Sequence, residues 1–323
     1  MKKRSHRLDK MARVYDDEIL PIWSQRFGRM LIRGLEVPSK AMVLDVGCGT
    51  GYPALELLKR MDEQSRIIAI DPVGALLDVA RKKAGDLAGK RIFFRSEAPT
   101  SKLAFADEVY DLVISNLGVL LLDSPKLALK EFGRVSKVGG RVVITLPLAG
   151  TYGEFYDIYR EVLTKGDQHE VLDRLEVHIA KNPEPDVVVS WLEEAGLVDV
   201  DVDVEEFSLL FKSSREFFFA PVIEFGPLSA WKEIAGKGQT MQEIFWHIKE
   251  AIDAYFGDRA FEITVKAGCF RGTRPGQPEP EEPEEAVTPP RTDPTPRHAA
   301  APEEPEDGPI ADNFRLDDDD EDQ

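Results

Sequence analysis

Cysteine is nearly absent: Cys48 and Cys269 are the only two in 323 residues. Two thiols cannot build a disulfide framework, and no Cys/His cluster of metal-binding spacing accompanies them. That economy fits a reducing compartment, and the expectation is a cytoplasmic protein without a bound metal. Long apolar runs are missing too, so no stretch approaches the ~18 residues that suggest a membrane span. The basic opening "MKKRSHRLDKMARVYDD" is followed by no apolar core of the signal-peptide kind. Positive charge is scarce, with 41 Lys and Arg against 59 Asp and Glu and a net charge of -18. Most of that excess sits in residues 275–323, where 17 acidic side chains face 3 basic ones; the body before them is close to neutral. A near-neutral body gives no electrostatic reason to expect a nucleic acid partner. The same tail holds 11 of the 22 prolines, and its only large apolar residues are Ile310, Phe314 and Leu316. It cannot bury enough surface to offset its ordering entropy and reads as a disordered, acidic, Pro-rich segment. A solvating role is expected of it, with a protein partner for the acidic run as the alternative.

What is present is an alternation. Short β-branched runs stand at 41–46, 66–71, 91–96, 110–116 and 141–148, with segments of helical period between them. Strands with few polar interruptions, separated by helices, point to an α/β fold with a parallel sheet covered on both faces. Ser124 and Pro125 suit the start of the helix before the fifth strand, and Gly139-Gly140 its end. Residues 1–40 read as a helical cap and 41–274 as the main domain, with helical insertions at about 151–181 and 213–257. Further strands are expected near 198–212 and 261–271.

The chemistry is concentrated in "LDVGCGTGYPAL", residues 44–55. Three glycines, Gly47, Gly49 and Gly51, sit at a strand-to-helix turn, where bare backbone lets a ligand come close to amide N–H groups. The spacing is G-x-G-x-G, and Tyr52 stands where a dinucleotide fingerprint places its third glycine; this disfavours a nicotinamide oxidoreductase. A P-loop ending is missing as well. Asp45 would repel a pyrophosphate but favours an ammonium or sulfonium group. Twenty residues past Gly51, Asp71 ends the second strand, where a carboxylate can accept from two ribose hydroxyls. A ribose and a positive centre together describe S-adenosylmethionine.

"VLDVGCGTG", "AIDPVGALLDVARKKAG", "LAFADEVYDLVISNLGVLLL" and "EFGRVSKVGGRVVI", in that order from about residue 41 to 148, resemble the class I S-adenosylmethionine-dependent methyltransferases. The resemblance implies a doubly wound, seven-stranded, mostly parallel sheet, the Rossmann-like methyltransferase fold with helical lid insertions. It implies that Gly47, Cys48, Gly49 and Gly51 pass under the methionine part of the cofactor and that Asp45 fixes its amino group. Asp71 would hold the ribose, Pro72 and Leu76 would contact the adenine, and Asn116 and Leu117 would border the methyl group. The adenine loop departs from the family: "RSEAPTSKLAF" replaces the usual glycine, lengthens the acid and extends the loop. Ser96 and Glu97, with Ala98 beside them, are its candidates. Cys48 reads as a small loop residue, since no histidine lies near it in sequence.

For the acceptor, the roof outside the sheet matters. Tyr15, Trp23 and Arg26 in the leading helices, Tyr152 in "TYGEFYDIYREVL", and Phe217, Phe218, Phe219, Phe225 and Trp231 favour a small, partly apolar molecule methylated at oxygen or carbon. Among the histidines, His169, His178 and His247 are the only base candidates outside the termini, and no catalytic residue is assigned. The nearest groups in resemblance are the ubiquinone/menaquinone C-methyltransferases and the malonyl-thioester O-methyltransferases. The second, suggested by Thr151 and Glu154, calls for an arginine on the substrate carboxylate, for which Arg160 and Arg174 are the candidates. A non-catalytic binding or scaffold protein on the same fold is the competing expectation.

Overall fold

In the computed structural model the described residues are 6–97, 102–257 and 259–276. The acidic tail from residue 277 onward and Ala98 lie outside them. One sheet holds seven strands, β1 (Met42–Val46), β2 (Arg66–Asp71), β3 (Ile92–Ser96), β4 (Tyr110–Asn116), β5 (Ser136–Pro147), β6 (Val198–Phe211) and β7 (Phe261–Thr273). Their spatial order is 3-2-1-4-5-7-6. The first five run parallel, and β7 enters antiparallel between β5 and β6. This is the doubly wound, mostly parallel sheet that the resemblance implied.

Alternation along the strands feeds two cores. Val43, Ile67, Ala69, Leu112, Ile114 and Val143 face one, and Leu44, Ile70, Val113, Val142 and Ile144 face the other. Burial on both faces explains why these strands read as nearly unbroken apolar runs. The helices are α1 (His6–Val14), α2 (Ser24–Ile32), α3 (Ala54–Leu58), α4 (Gly74–Ala84), α5 (Pro125–Val135), α6 (Gly153–Lys165), α7 (His169–Ile179) and α8 (Pro185–Glu194). Four more, α9 (Ser214–Phe219), α10 (Pro221–Glu224), α11 (Leu228–Ala235) and α12 (Gly238–Phe256), lie between β6 and β7. Among the described residues no helix is long and apolar enough to cross a membrane.

The start of α5 follows its sequence signals: Ser124 Oγ accepts from the Leu127 N–H, and Pro125 takes the first position. Its end does not. The helix stops at Val135 rather than at Gly139-Gly140, because Ser136 turns extended, bonds back through Oγ to the Phe132 carbonyl at 2.7 Å and pairs with Tyr110. The two glycines serve an irregularity inside β5, where the register to β4 shifts. A Cβ on Gly140 would lie 2.8 Å from the Lys137 carbonyl oxygen.

Candidate active site

The strand order reverses between β1 and β4, and a ligand crevice forms where the carboxyl ends of two such strands diverge. β1 delivers Asp45 and the glycine loop there, and β4 delivers Asn116 and Leu117. Gly47, Gly49 and Gly51 have φ of +78°, +52° and +93°, a region costly for residues with a Cβ. At Gly51 a Cβ would also meet the Leu55 side chain at 2.9 Å. The loop amides are less available than the sequence suggests. Gly47 and Cys48 N–H both donate to the Ile70 carbonyl, Gly51 N–H to that of Cys48, and Gly49 N–H to Asp71 Oδ2 at 3.0 Å.

The two acids differ in kind. Asp71 is buried, with Oδ2 on Gly49 N–H and Oδ1 on Val73 N–H at 2.8 Å. Burial raises its pKa, and the Val73 and Gly49 N–H bonds work against that rise. Each oxygen retains a second lone pair. Asp45 is fully buried and neither of its carboxylate oxygens has a hydrogen-bond partner. Burial, reinforced by the charge of Asp71, pushes its carboxyl well above the usual carboxylate range. Such an orphaned acid is costly unless a positive group meets it.

The N-terminal segment closes over this loop. Beyond α1 the chain makes a π-helical turn, Tyr15–Ile19, which puts the Tyr15 ring 3.7 Å from where a Cβ on Gly49 would stand. The Tyr15 hydroxyl bonds Ser24 Oγ at 2.7 Å. Asn116 Nδ2 donates to the Ser24 carbonyl at 3.1 Å, while its Oδ1 accepts from Thr145 Oγ1 at 2.7 Å. Asn116 thus ties the cap to the sheet, with one Nδ2 hydrogen and Oδ1 engaged in that tie. Leu117 follows in a left-handed conformation, φ +65°, with its N–H on the Thr145 carbonyl. Ser24 and Gly28 escaped the sequence reading. A Cβ on Gly28 would lie 2.3 Å from Tyr52 Cε1, so the residue that breaks the dinucleotide pattern is the one that seats α2 on the loop.

Trp23 lies parallel to Tyr152 with ring centroids 5.9 Å apart, and Phe27 and Phe207 pack around it. Tyr152 is buried and left-handed, φ +65°, and meets Trp231 and Tyr156 edge-on. Strained non-glycine backbone of this sort concentrates at functional sites. Phe217 and Trp231 are wholly core, Phe218 is partly buried, and Phe219 and Phe225 face solvent. Arg26 lies over the Phe207 ring.

On the adenine side Pro72 and Ser96 are exposed and Leu76 and Glu97 half-buried; Ser96 pairs with Asp71 across the strands, and Glu97 Oε1 accepts from Ala104 N–H. Cys48 is buried, and burial drives its thiol pKa up, against any nucleophilic role. Arg160 is bound to Glu176 and Asp157, and Arg174 donates to the Ile234 carbonyl. Thr151 and Glu154 pin the start of α6 to β7, through Lys266 and Thr264. His169 pairs with Asp167 on the surface, His247 lies against Trp246, and His178 meets Tyr156 edge-on. No cluster that could hold a metal occurs among the described residues.

A cofactor with a ribose and a positive amino-acid end fits this cradle: Asp71 keeps lone pairs for hydroxyls, and Asp45 lacks a cation. The description of one family model, "Methyltransferase domain", matches residues 44–144, from β1 into β5. The chain is 26% identical over 213 residues to a demethylmenaquinone methyltransferase of Renibacterium salmoninarum, covering 60% of this chain and 86% of that one. A malonyl-[acyl-carrier protein] O-methyltransferase of Halorhodospira halophila is 31% identical over 181 residues, 54% of each chain. In fold it is similar to a putative methyltransferase of Bacillus halodurans, with a TM-score of 0.51, 17% identity and coverage of 77% of this chain and 99% of the other. A glycine loop between two buried acids at the switch point of a 3-2-1-4-5-7-6 sheet, matched across that span, gives the chain a methyltransferase domain similar to those of the class I S-adenosylmethionine-dependent methyltransferases.

Proposed function

We propose that the enzyme methylates a small, largely apolar ring compound of the quinol type, at carbon or at oxygen. The observation that carries this reading is the stacked aromatic pair of Trp23 and Tyr152, joined to the glycine loop through Ser24 and Tyr15. Planar side chains of this kind recognise a flat, apolar acceptor at small ordering cost. The relatives named demethylmenaquinone methyltransferase support a ring acceptor. A carboxylate acceptor, as the malonyl relative would suggest, is disfavoured: Arg160 and Arg174 are committed elsewhere, and Asp45 and Asp71 repel an anion.

Bound S-adenosylmethionine supplies an electrophilic methyl group on a sulfonium. The residues of the chain then bind and orient. In this reading Asp45 takes the cofactor's ammonium, and Asp71 accepts from the ribose hydroxyls with its remaining lone pairs. The backbone of Gly47, Cys48, Gly49 and Gly51 passes beneath the methionine part. Pro72 and Leu76, with Ser96 and Glu97, border the adenine. Leu117 and the Asn116 backbone border the methyl group. Tyr15, Trp23 and Tyr152 shut water from the acceptor and hold it in line, which is where a displacement gains most from a protein.

The test has two parts. Calorimetric titration with S-adenosylhomocysteine reports the cofactor site, and Asp71→Ala should abolish the heat. Methyl-labelled S-adenosylmethionine offered with a prenylated hydroquinone and with a malonyl thioester reports the acceptor. Label in the ring compound is expected; label in the thioester alone would overturn the assignment.

A further inference from the structure

Tyr152, between β5 and α6, has a φ of +65° while carrying a full side chain, where glycine would sit without strain. The chain around it is clamped to β7. The Tyr152 N–H donates to the Thr264 carbonyl at 2.9 Å, Thr151 Oγ1 donates to the Lys266 carbonyl at 3.2 Å, and Glu154 accepts from the Thr264 N–H at 3.0 Å. Strain that so many fixed contacts keep in place points to a side chain whose position is required.

The ring of Tyr152 is engaged and its hydroxyl is not. Trp23 lies against one face, and Tyr156 and Trp231 meet it edge-on. Two other tyrosines of α6 spend their hydroxyls on Trp231: that of Tyr156 accepts from the indole N–H at 3.2 Å, and that of Tyr159 donates to the backbone carbonyl at 3.0 Å. Tyr152 is 6% exposed, and among the described residues no hydrogen bond takes its hydroxyl. The fully enclosed side-chain oxygens without a partner belong to Asp45, Thr50 and Ser214, so the Tyr152 hydroxyl keeps an opening. Trp23 leads directly into Ser24, whose carbonyl takes Asn116 Nδ2, so Tyr152 stands across one stacked ring from the residue tied to the end of β4.

We infer that the Tyr152 hydroxyl donates a hydrogen bond to an oxygen on the acceptor ring, and so selects an oxygenated ring over a bare one. This rests on the ring acceptor proposed above and names the substituent that ring must carry. Burial, and then Tyr156, raises the phenol's pKa, which keeps it protonated and a donor at neutral pH. A ring oxygen satisfies the buried hydroxyl, whereas a hydrocarbon ring in the same slot leaves it unpaired; that asymmetry lets a site reject an isostere.

The experiment titrates two ligands into the full chain loaded with S-adenosylhomocysteine: a hydroquinone with a single isoprene unit, and the matching prenylated benzene, which lacks both oxygens. Tyr152→Phe should weaken the hydroquinone about five- to tenfold and leave the prenylated benzene and S-adenosylhomocysteine within about twofold. Because the hydroxyl has no partner in the free protein, ligand-free Tyr152→Phe should melt no lower than the wild type. Tyr156→Phe, which orphans the Trp231 indole N–H, should melt lower and leave the ring affinities unchanged. Equal loss for both ring ligands, no loss for either, or a lower melting temperature in Tyr152→Phe would each overturn the inference alone. A wild-type chain that binds S-adenosylhomocysteine but neither ring compound would overturn the ring-acceptor reading, and this inference with it.

Discussion

Asp45→Asn separates the cost of the site from its use. The wild-type carboxyl is fully buried with two unpartnered oxygens, and burial, then Asp71, raises its pKa. The sign follows for the ligand-free protein. A raised folded-state pKa contributes stability that is present below the unfolded value of about 3.9 and is lost as pH rises through the folded one. A cation on Asp45 favours the ionised form, so binding releases a proton and affinity climbs with pH up to the free-state pKa. Asn removes both effects. It also removes a charge-assisted hydrogen bond worth about 1.5–3 kcal/mol, or roughly 10–150-fold in Kd. At a ligand concentration of ~100 wild-type Kd, S-adenosylhomocysteine stabilises the wild type by about 2.7 kcal/mol. At ~2–4 °C per kcal/mol for a body of this size, that is a shift of roughly 5–10 °C. With Kd raised ~100-fold, the same concentration gives about 0.4 kcal/mol and a shift near 1 °C. The assay is thermal melting with and without ligand at several pH values. A variant that keeps the full ligand shift, or a wild type whose affinity ignores pH, would falsify the pairing of Asp45 with the ammonium.

Two further outcomes follow from the packing around the loop. Gly28→Ala puts a methyl group 2.3 Å from the Tyr52 ring, which must move and lift α2 from the loop; urea unfolding should show a loss of about 1–3 kcal/mol, and a variant within ~0.5 kcal/mol of wild type would refute that contact. Cys48 and Cys269 should both resist a thiol reagent at neutral pH in the native state, since burial raises the Cys48 thiol and moves that of Cys269 up to about 12. Both should react on unfolding, and one fast equivalent from the native protein would contradict the burial.

The strands were legible because of where they lie. β2 and β4 occupy the residues their apolar runs mark, as parallel strands buried on both faces must exclude polar side chains. The end of α5 was not, because Ser136 commits to pairing with Tyr110, a contact 26 residues away that local glycine signals cannot report. Arg160 looked free in sequence for the same reason; its partner Glu176 is brought beside it only when α6 and α7 pack together.

The glycine loop carries the sharpest version of that lesson. Its residue types named a ligand class correctly, since bare backbone, a strand-end acid and a second acid on the next strand are chemical statements that survive folding. What each group does was not fixed by type. The amides of Gly47, Cys48, Gly49 and Gly51 turn inward to the Ile70 and Cys48 carbonyls and to Asp71, so the loop holds itself and Asp71 rigid rather than presenting those donors. Asp71, with both oxygens on backbone N–H groups, is oriented before a ligand arrives, whereas Asp45 is left without a partner. An arrangement that satisfies one acid and orphans its neighbour costs stability in the free protein, and on the proposed assignment a ligand bringing a positive charge to Asp45 recovers that cost. On that proposal, selectivity for a cationic nucleoside over a neutral one rests with the unsatisfied acid, and the satisfied one supplies the geometry.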